Sequence, residues 1–363
     1  MKIAFISRST LYSDKGGDTI QILQTAKGLK ELGLTVDIFL SNQNIDYAAY
    51  DLLHFFNIIR PDDILPHIRL AKTPFVISTI FVDYAEYERQ ARQGRSSYVF
   101  RFLPDHTIEY LKALARFILN GEKIKSSYYL FRGHRRSIQK VAEKASLLLP
   151  NSENEYKRLV KAYSIHTPYR VIPNGIDPIL FNPQPTTISR NDRLILCVAR
   201  NEGRKNQLNL IRALNNTRYD LILIGARSTN QMGYYEQCKR EAGPNIRFID
   251  FLDQQDLLSY YRQAKVHVLP SWFETTGLSS LEAAAMGCNI VITEKGDAKE
   301  YFGDYAWYCD PGSPDSIYQA VDQAATHPVP AALSNLVCTR YTWTMAASRT
   351  LQAYQEVIPV VRS

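Results

Sequence analysis

Lys265-Val266-His267-Val268-Leu269-Pro270-Ser271-Trp272-Phe273-Glu274-Thr275-Thr276-Gly277-Leu278-Ser279-Ser280-Leu281-Glu282 joins a short apolar run, a Gly-containing turn and the start of an Ala-rich helix. The apolar run reads as a buried parallel strand, and ligands of open α/β sheets gather at the carboxyl ends of such strands. Ser271 to Glu274 are delivered to that edge. The turn can aim successive N–H groups and a helix N-terminus at an anion, while Glu274 and Glu282 on either side accept hydrogen bonds from hydroxyls.

About seventy residues earlier, a second strand-like run, Leu194 to Ala199, ends in the basic loop Arg200-Asn201-Glu202-Gly203-Arg204-Lys205-Asn206, with a helix beginning near Gln207. Arg and Lys in such a loop supply fixed positive charge, which can stabilise a phosphate leaving group without a metal ion. A third piece opens the chain. The strand Lys2 to Ser7 leads through Ser13-Asp14-Lys15-Gly16-Gly17-Asp18 into a helix whose apolar face is read as Ile20, Leu23, Ala26, Leu29 and Leu32. Adjacent glycines let a backbone approach a phosphate closely.

The segment from Ser271 through Ala284 closely resembles the signature of the retaining, nucleotide-sugar-dependent glycosyltransferases of family four, in which a Glu, seven residues and a second Glu recur. The resemblance implies that Glu274 meets the hydroxyls of the transferred sugar and Glu282 the ribose. It also implies that the amides of Thr276, Gly277 and Leu278 line sugar and diphosphate, that Arg200 and Lys205 form the diphosphate-binding pair, and that Gly16 and Gly17 touch the diphosphate. Two departures are visible. An aromatic residue commonly precedes the Gly of the turn, and here it is Thr276; the family often has a His after the fourth strand, but Ser78-Thr79-Ile80-Phe81-Val82-Asp83 has none, leaving Asp83 as a local substitute. The family's chemistry implies attack by the acceptor on the face from which the diphosphate leaves, with the departing phosphate taking the proton and no enzyme nucleophile.

Strand and helix patterns alternate through both halves, as expected for α/β folding with parallel sheets. Strands are expected near Lys2–Ser7, Thr35–Leu40, Leu52–Phe56, Phe75–Ile80 and Leu147–Pro150, then near Leu194–Ala199, Asp220–Ile224, Ile246–Ile249, Val266–Leu269 and Ile290–Thr293. Val171-Ile172-Pro173-Asn174-Gly175-Ile176-Asp177-Pro178, followed by Pro183 and Pro185, reads as a stiff connector. The resemblance implies the GT-B architecture of two facing Rossmann-like domains with a cleft between them. The first takes residues 1–168 plus about 344–363 and faces the acceptor; the second, 169–343, binds the donor. A last helix, from about Thr342 to Val357, carries Trp343, Ala346, Leu351 and Tyr354 on one face and is expected to cross back to the first domain.

At 363 residues, 45% hydrophobic and 22% charged, the chain can bury two sizeable cores. Its five cysteines are scattered and odd in number, which fits reduced thiols in a cytoplasmic protein better than a disulfide framework. No apolar run approaches the roughly eighteen residues of a membrane span, and the N-terminus opens directly on a strand. Neither a Gly-x-Gly-x-x-Gly nor a Walker fingerprint is present, so nicotinamide redox and triphosphatase readings lose their usual support. There is no Asp-x-Asp and no zinc-like histidine spacing, and no metal or cofactor is expected beyond the nucleoside-diphosphate sugar itself.

The alternation breaks between Tyr84 and Lys140, where a segment read as helical carries twelve Lys/Arg against five Asp/Glu, a surplus equal to the whole chain's formal charge of +7. Arg89, Arg92, Arg95, Arg101, Arg116, Lys123, Lys125, Arg132, Arg135 and Arg136 alternate with aromatic residues. Such a stretch suits an anionic membrane or a lipid diphosphate; equally, it reads as a solvated lid with its aromatics in the core. No nucleic-acid motif accompanies it. The leading reading is a metal-independent retaining glycosyltransferase moving a hexose from a UDP- or GDP-sugar to a glycan or lipid-linked acceptor of a cell-surface polysaccharide or lipopolysaccharide. It would be cytoplasmic, with peripheral attachment to the inner face of the membrane. The alternatives are a GT-B nucleotide-sugar epimerase and a non-catalytic nucleotide-sugar-binding protein.

Overall fold

The structure is a computed structural model that describes residues 1–82, 125–182 and 190–358. Their chain divides into two compact units at Asn174–Gly175 and again at Thr342–Trp343. The first unit holds β1 (Lys2–Ser7), α1 (Gly17–Glu31), β2 (Thr35–Leu40), β3 (Leu52–Phe56), α2 (Pro61–Leu70), β4 (Phe75–Ser78), α3 (Ser127–Lys144), β5 (Leu147–Leu149) and α4 (Glu153–Tyr163). Its five strands are parallel in the order β2-β1-β3-β4-β5. Every residue of β3, β4 and β5 is buried, the near-continuous apolar pattern of strands covered on both faces.

The second unit holds β6 (Asn191–Val198), α5 (Gln207–Leu214), β7 (Asp220–Ile224), α6 (Met232–Glu241), β8 (Ile246–Ile249), α7 (Gln254–Gln263), β9 (Ala264–Leu269), α8 (Leu278–Ala285), β10 (Asn289–Thr293), α9 (Ala298–Phe302), β11 (Ala306–Cys309), α10 (Pro314–Thr326) and α11 (Ala331–Arg340). Six parallel strands run β11-β10-β9-β6-β7-β8, with a hydrophobic cluster against each face of the sheet. This is the doubly wound order of a Rossmann sheet. Its topological switch point lies between β6 and β9, where the chain winds away in opposite directions and leaves a crevice at the strands' carboxyl ends. Helix starts are set locally: Asp253 caps α7 through its carboxylate, and Ser313 caps α10 with Pro314 in the first turn.

A final helix, α12 (Trp343–Val357), returns to the first unit and packs on α1, where Gly28 faces Ala347. A Cβ at Gly28 would lie 2.6 Å from that of Ala347. His54 ties α12 to the sheet beneath, one ring nitrogen 2.6 Å from Tyr354 Oη and the other 2.9 Å from Ser78 Oγ. Burial pushes His54 down to about 3, so this link is neutral at physiological pH.

Several expectations are corrected by the fold. The buried face of α1 is Thr19, Gln21, Ile22, Thr25, Ala26, Gly28 and Leu29, while Leu23 and Leu32 are exposed; close packing on α12 selects small residues over the larger apolar ones. β4 stops at Ser78, not Ile80, because Ile80 takes a positive φ of 45° that no strand accommodates. β5 ends at Leu149, before Pro150. β11 was not anticipated, since only Cys309 of its four residues is buried and its pattern lacks an apolar run. All five cysteines are free, and burial raises the Cys197 and Cys309 thiols to about 12, which makes them unreactive.

Most of the basic segment 84–140, with Asp83, lies outside the described residues, as do Pro183 and Pro185. Its end is described. Lys125 Nζ bonds Asp63 Oδ1 at 2.6 Å and Ser41 Oγ at 2.8 Å, and Asp62 accepts the N–H groups of Lys125 and Ser126. Tyr129 is buried in the core, whereas Leu130, Phe131, Arg132, Arg135 and Arg136 are exposed. Among the described residues no helix is long and apolar enough to cross a membrane.

Candidate functional site

The loops after β6 and β9 meet at the switch point of the second sheet. After β6 the chain makes a 3₁₀ turn over Gly203–Lys205, and Asn206, in the left-handed region at φ 61°, starts α5. The Asn206 amide donates to the carbonyls of Pro270 at 3.0 Å and Pro311 at 2.8 Å, and Trp272 N–H donates to Arg204 O at 2.9 Å. These bonds fasten the basic loop to the loop that carries Glu274. Arg200 is half-buried, its carbonyl accepting from the Gln207 side chain at 2.8 Å. Arg204 pairs with the buried Glu202 at 2.6 Å, adding a cation beside the pair read from the sequence.

Lys205 and Glu274 form an ion pair across the crevice, Lys205 Nζ to Glu274 Oε1. Ser271 Oγ donates to the same oxygen at 2.7 Å. Burial opposes ionisation of Glu274, but the Lys205 ammonium, the hydrogen bonds from Lys205 and Ser271, and the charge of Arg204 hold its carboxyl below the ordinary range. Its backbone is clamped as well: Glu274 N–H donates to Lys295 O at 3.1 Å, and Asp297 N–H donates to Glu274 O at 2.8 Å. Gly296 makes that clamp possible. It sits at φ 104°, and a Cβ there would fall 2.1 Å from Glu274 O.

The turn then enters α8 through Gly277, in the left-handed region at φ 69° and with no side-chain cap, so the helix presents its N-terminus uncapped at the crevice. Leu278 is its first residue. Thr276 is buried and hydrogen bonded to Tyr301 Oη at 3.2 Å, so an aromatic ring from α9 stands beside the position where the family commonly places one in the turn.

Glu282 lies one turn into α8 and is nearly buried. Gln254 donates to its Oε1 at 2.8 Å and Tyr261 to its Oε2 at 3.0 Å, both from α7. Burial raises its carboxyl to about 7, against the pull of those two hydrogen bonds. The two glutamates of the motif therefore differ in charge state: Glu274 is ionised beside a cation, and Glu282 titrates near neutrality.

The structure thus brings Arg200, Lys205, Glu274, Thr276, Gly277, Leu278 and Glu282 into one unit around one switch point. Gly16 and Gly17 belong to the other unit, where Gly16 is the N-cap of α1 and Gly17 its first residue. Their loop is organised by Arg8, which pairs with Asp18 at 2.7 Å and donates to Asp14 O at 2.6 Å and Thr10 O at 3.0 Å. Arg8, Gln254, Tyr261 and Gly296 had not been singled out in the sequence, and Ser271 had been placed at the strand's edge without a role. Ser271 alone was within reach there, three residues before Glu274. A basic loop, two carboxylates and a helix N-terminus at one crevice can hold a diphosphate and the hydroxyls on either side of it.

Comparison with known proteins bears on the family and the fold. The family model for glycosyl transferases group 1 matches residues 179–335. The chain is 24% identical over 315 residues to an N-acetylgalactosaminyltransferase of Campylobacter jejuni that acts on a diphospho-undecaprenol-linked sugar, covering 81% of this chain and 82% of that protein. It is 27% identical over 165 residues to the O-antigen chain mannosyltransferase B of Escherichia coli, covering 42% and 43%. Among solved structures, sucrose-phosphate synthase of Thermosynechococcus elongatus has the same fold with a TM-score of 0.76 at 17% identity, covering 98% of this chain and 99% of that one. HepE of Anabaena, in complex with UDP, has a TM-score of 0.71 at 17% identity, covering 98% and 100%. Residues 179–335 of this chain thus form a group 1 glycosyl transferase domain, within the paired parallel Rossmann-like sheets of a GT-B glycosyltransferase.

Proposed function

We propose that this enzyme transfers a hexose from a nucleoside-diphosphate sugar to a lipid-linked or glycan acceptor in the assembly of a cell-surface polysaccharide, without a metal ion. The observation that carries the reading is the Lys205–Glu274 pair at the switch point, beside Arg200 and the uncapped start of α8. In this account Arg200 and Lys205 take the charge that builds on the diphosphate as the glycosidic bond breaks, Glu274 holds the sugar hydroxyls, and Glu282 holds the ribose. The amides of Thr276, Gly277 and Leu278 complete the donor site. With no nucleophile assigned, the leaving phosphate accepts the proton of the acceptor hydroxyl, and the configuration at the anomeric carbon is retained.

The lipid-linked acceptor is supported by the Campylobacter relative, whose name specifies a diphospho-undecaprenol-linked substrate. It is supported too by the exposed Leu130, Phe131, Arg132, Arg135 and Arg136 at the described end of the basic segment, side chains that suit an anionic membrane face. A panel of UDP- and GDP-sugars, scored by melting temperature, tests the donor half. UDP comes first because HepE of the same fold was crystallised with it. The true donor raises the melting temperature with concentration, by about 2.7 kcal/mol of stabilisation at a hundred times its Kd. Stabilisation by no nucleotide sugar in the panel would rule the reading out.

A further inference from the structure

Glu274 presents its two oxygens to different neighbours. Oε1 accepts from both Lys205 Nζ and Ser271 Oγ, while among the described residues no donor reaches Oε2. Ser271 is fully buried at the start of the loop that follows β9, and its only described side-chain bond is the one to Glu274. The backbone of Glu274 is fixed on both sides by Lys295 and Asp297, so the remaining freedom is rotation of the side chain itself. A lysine alone does not set that rotation. Its ammonium is a point charge on a flexible stem and follows either oxygen, whereas a short, buried hydroxyl has one reach.

We propose that Ser271 is a positioning residue of the transfer reaction: it locks the Glu274 carboxylate with Oε1 turned to Lys205 and Oε2 presented to the hydroxyls of the donor sugar. The inference rests on the assignment of Glu274 to the sugar and Lys205 to the diphosphate. Ser271 also keeps the ammonium and the carboxylate in register, because its hydroxyl and the Lys205 ammonium converge on one oxygen of Glu274. Without the hydroxyl the carboxylate can swing and offer Lys205 the oxygen that the sugar needs.

The test is a double-mutant cycle on purified enzyme, with transfer from the identified donor as the assay. Ser271→Ala is expected to lower kcat/KM roughly tenfold, the scale of a hydrogen bond to a charged group. In a Glu274→Gln background the same substitution is expected to add less than about twofold, because Ser271 acts through that side chain. At saturating donor, the acid limb of the kcat profile moves to higher pH in Ser271→Ala, since the lost bond had favoured the ionised carboxyl. Ser271→Thr restores the limb. A loss that is equal in both backgrounds with an unmoved acid limb assigns Ser271 a structural role and overturns the proposal, as does wild-type transfer by Ser271→Ala. Near-wild-type transfer by both Glu274→Gln and Lys205→Ala would instead overturn the underlying assignment.

Discussion

Replacing Lys205 by Ala is expected to lower kcat/KM for transfer by about a hundred- to a thousandfold, the effect of removing one preorganised charge worth roughly 2.7–4 kcal/mol in the transition state. The same substitution acts on stability. Lys205 and Glu274 are 15% and 7% exposed at their side chains, so loss of the ammonium leaves a carboxylate buried without its counter-charge. Breaking such a pair by removing one partner costs about 3–5 kcal/mol. The two effects separate in the double variant Lys205→Met with Glu274→Gln, which removes both charges: denaturant melts recover most of the lost stability, while transfer stays at least as low as in Lys205→Ala. Transfer by Lys205→Ala within a few-fold of wild type would show that the leaving group is stabilised elsewhere.

The second large effect is on pH. Glu282 titrates at about 7 in the donor-free chain because burial disfavours its charge and, among the described residues, only the neutral donors Gln254 and Tyr261 touch it. Tyr261 does not share the titration, since burial and the adjacent carboxylate lift its own hydroxyl well above the ordinary range. Ribose hydroxyls donate to a carboxylate more strongly than to a carboxylic acid, so donor binding favours the ionised form and releases a proton. The sign follows. Above pH 7 Glu282 is already ionised and affinity is level; below pH 7 a proton must be displaced, and donor affinity falls by roughly tenfold per pH unit until the carboxyl of the complex itself protonates. Isothermal titration of the donor from pH 5.5 to 8.5 measures this directly. A Glu282→Gln variant binds weakly at every pH with the slope removed, and a wild-type affinity that is level across the range contradicts the role given to Glu282.

Much of this site was legible in the sequence because its parts are local. Glu274 and Glu282 lie within nine consecutive residues and Arg200 and Lys205 share one loop, each directly after a strand-like run, which placed them at strand ends; their roles came from the family resemblance. The strands themselves were legible because both faces of a parallel sheet are covered, leaving runs such as Ile290-Val291-Ile292 with no polar interruption. What escaped notice depends on long-range packing. Tyr261 and Gln254 reach Glu282 from the helix that precedes β9, and Gly296 approaches Glu274 from the loop after β10; nothing in their own neighbourhoods marks them. β11 is a half-exposed edge strand and carries no periodic signal. The face of α1 was misread for a related reason: hydrophobic periodicity favours Leu23 and Leu32, but contact with α12 requires the small side chains around Gly28. The order of strands, which puts the two motifs on adjacent strands, is a property of winding that no single segment encodes.

The most direct test is a crystal structure of the second unit's site with the nucleoside diphosphate of the identified donor bound. The account predicts phosphate oxygens within hydrogen-bonding distance of the Arg200 guanidinium, the Lys205 ammonium and the first N–H groups of α8, with the ribose hydroxyls on Glu282. A diphosphate bound away from the β6–β9 crevice, with Lys205 still paired only to Glu274, would contradict it.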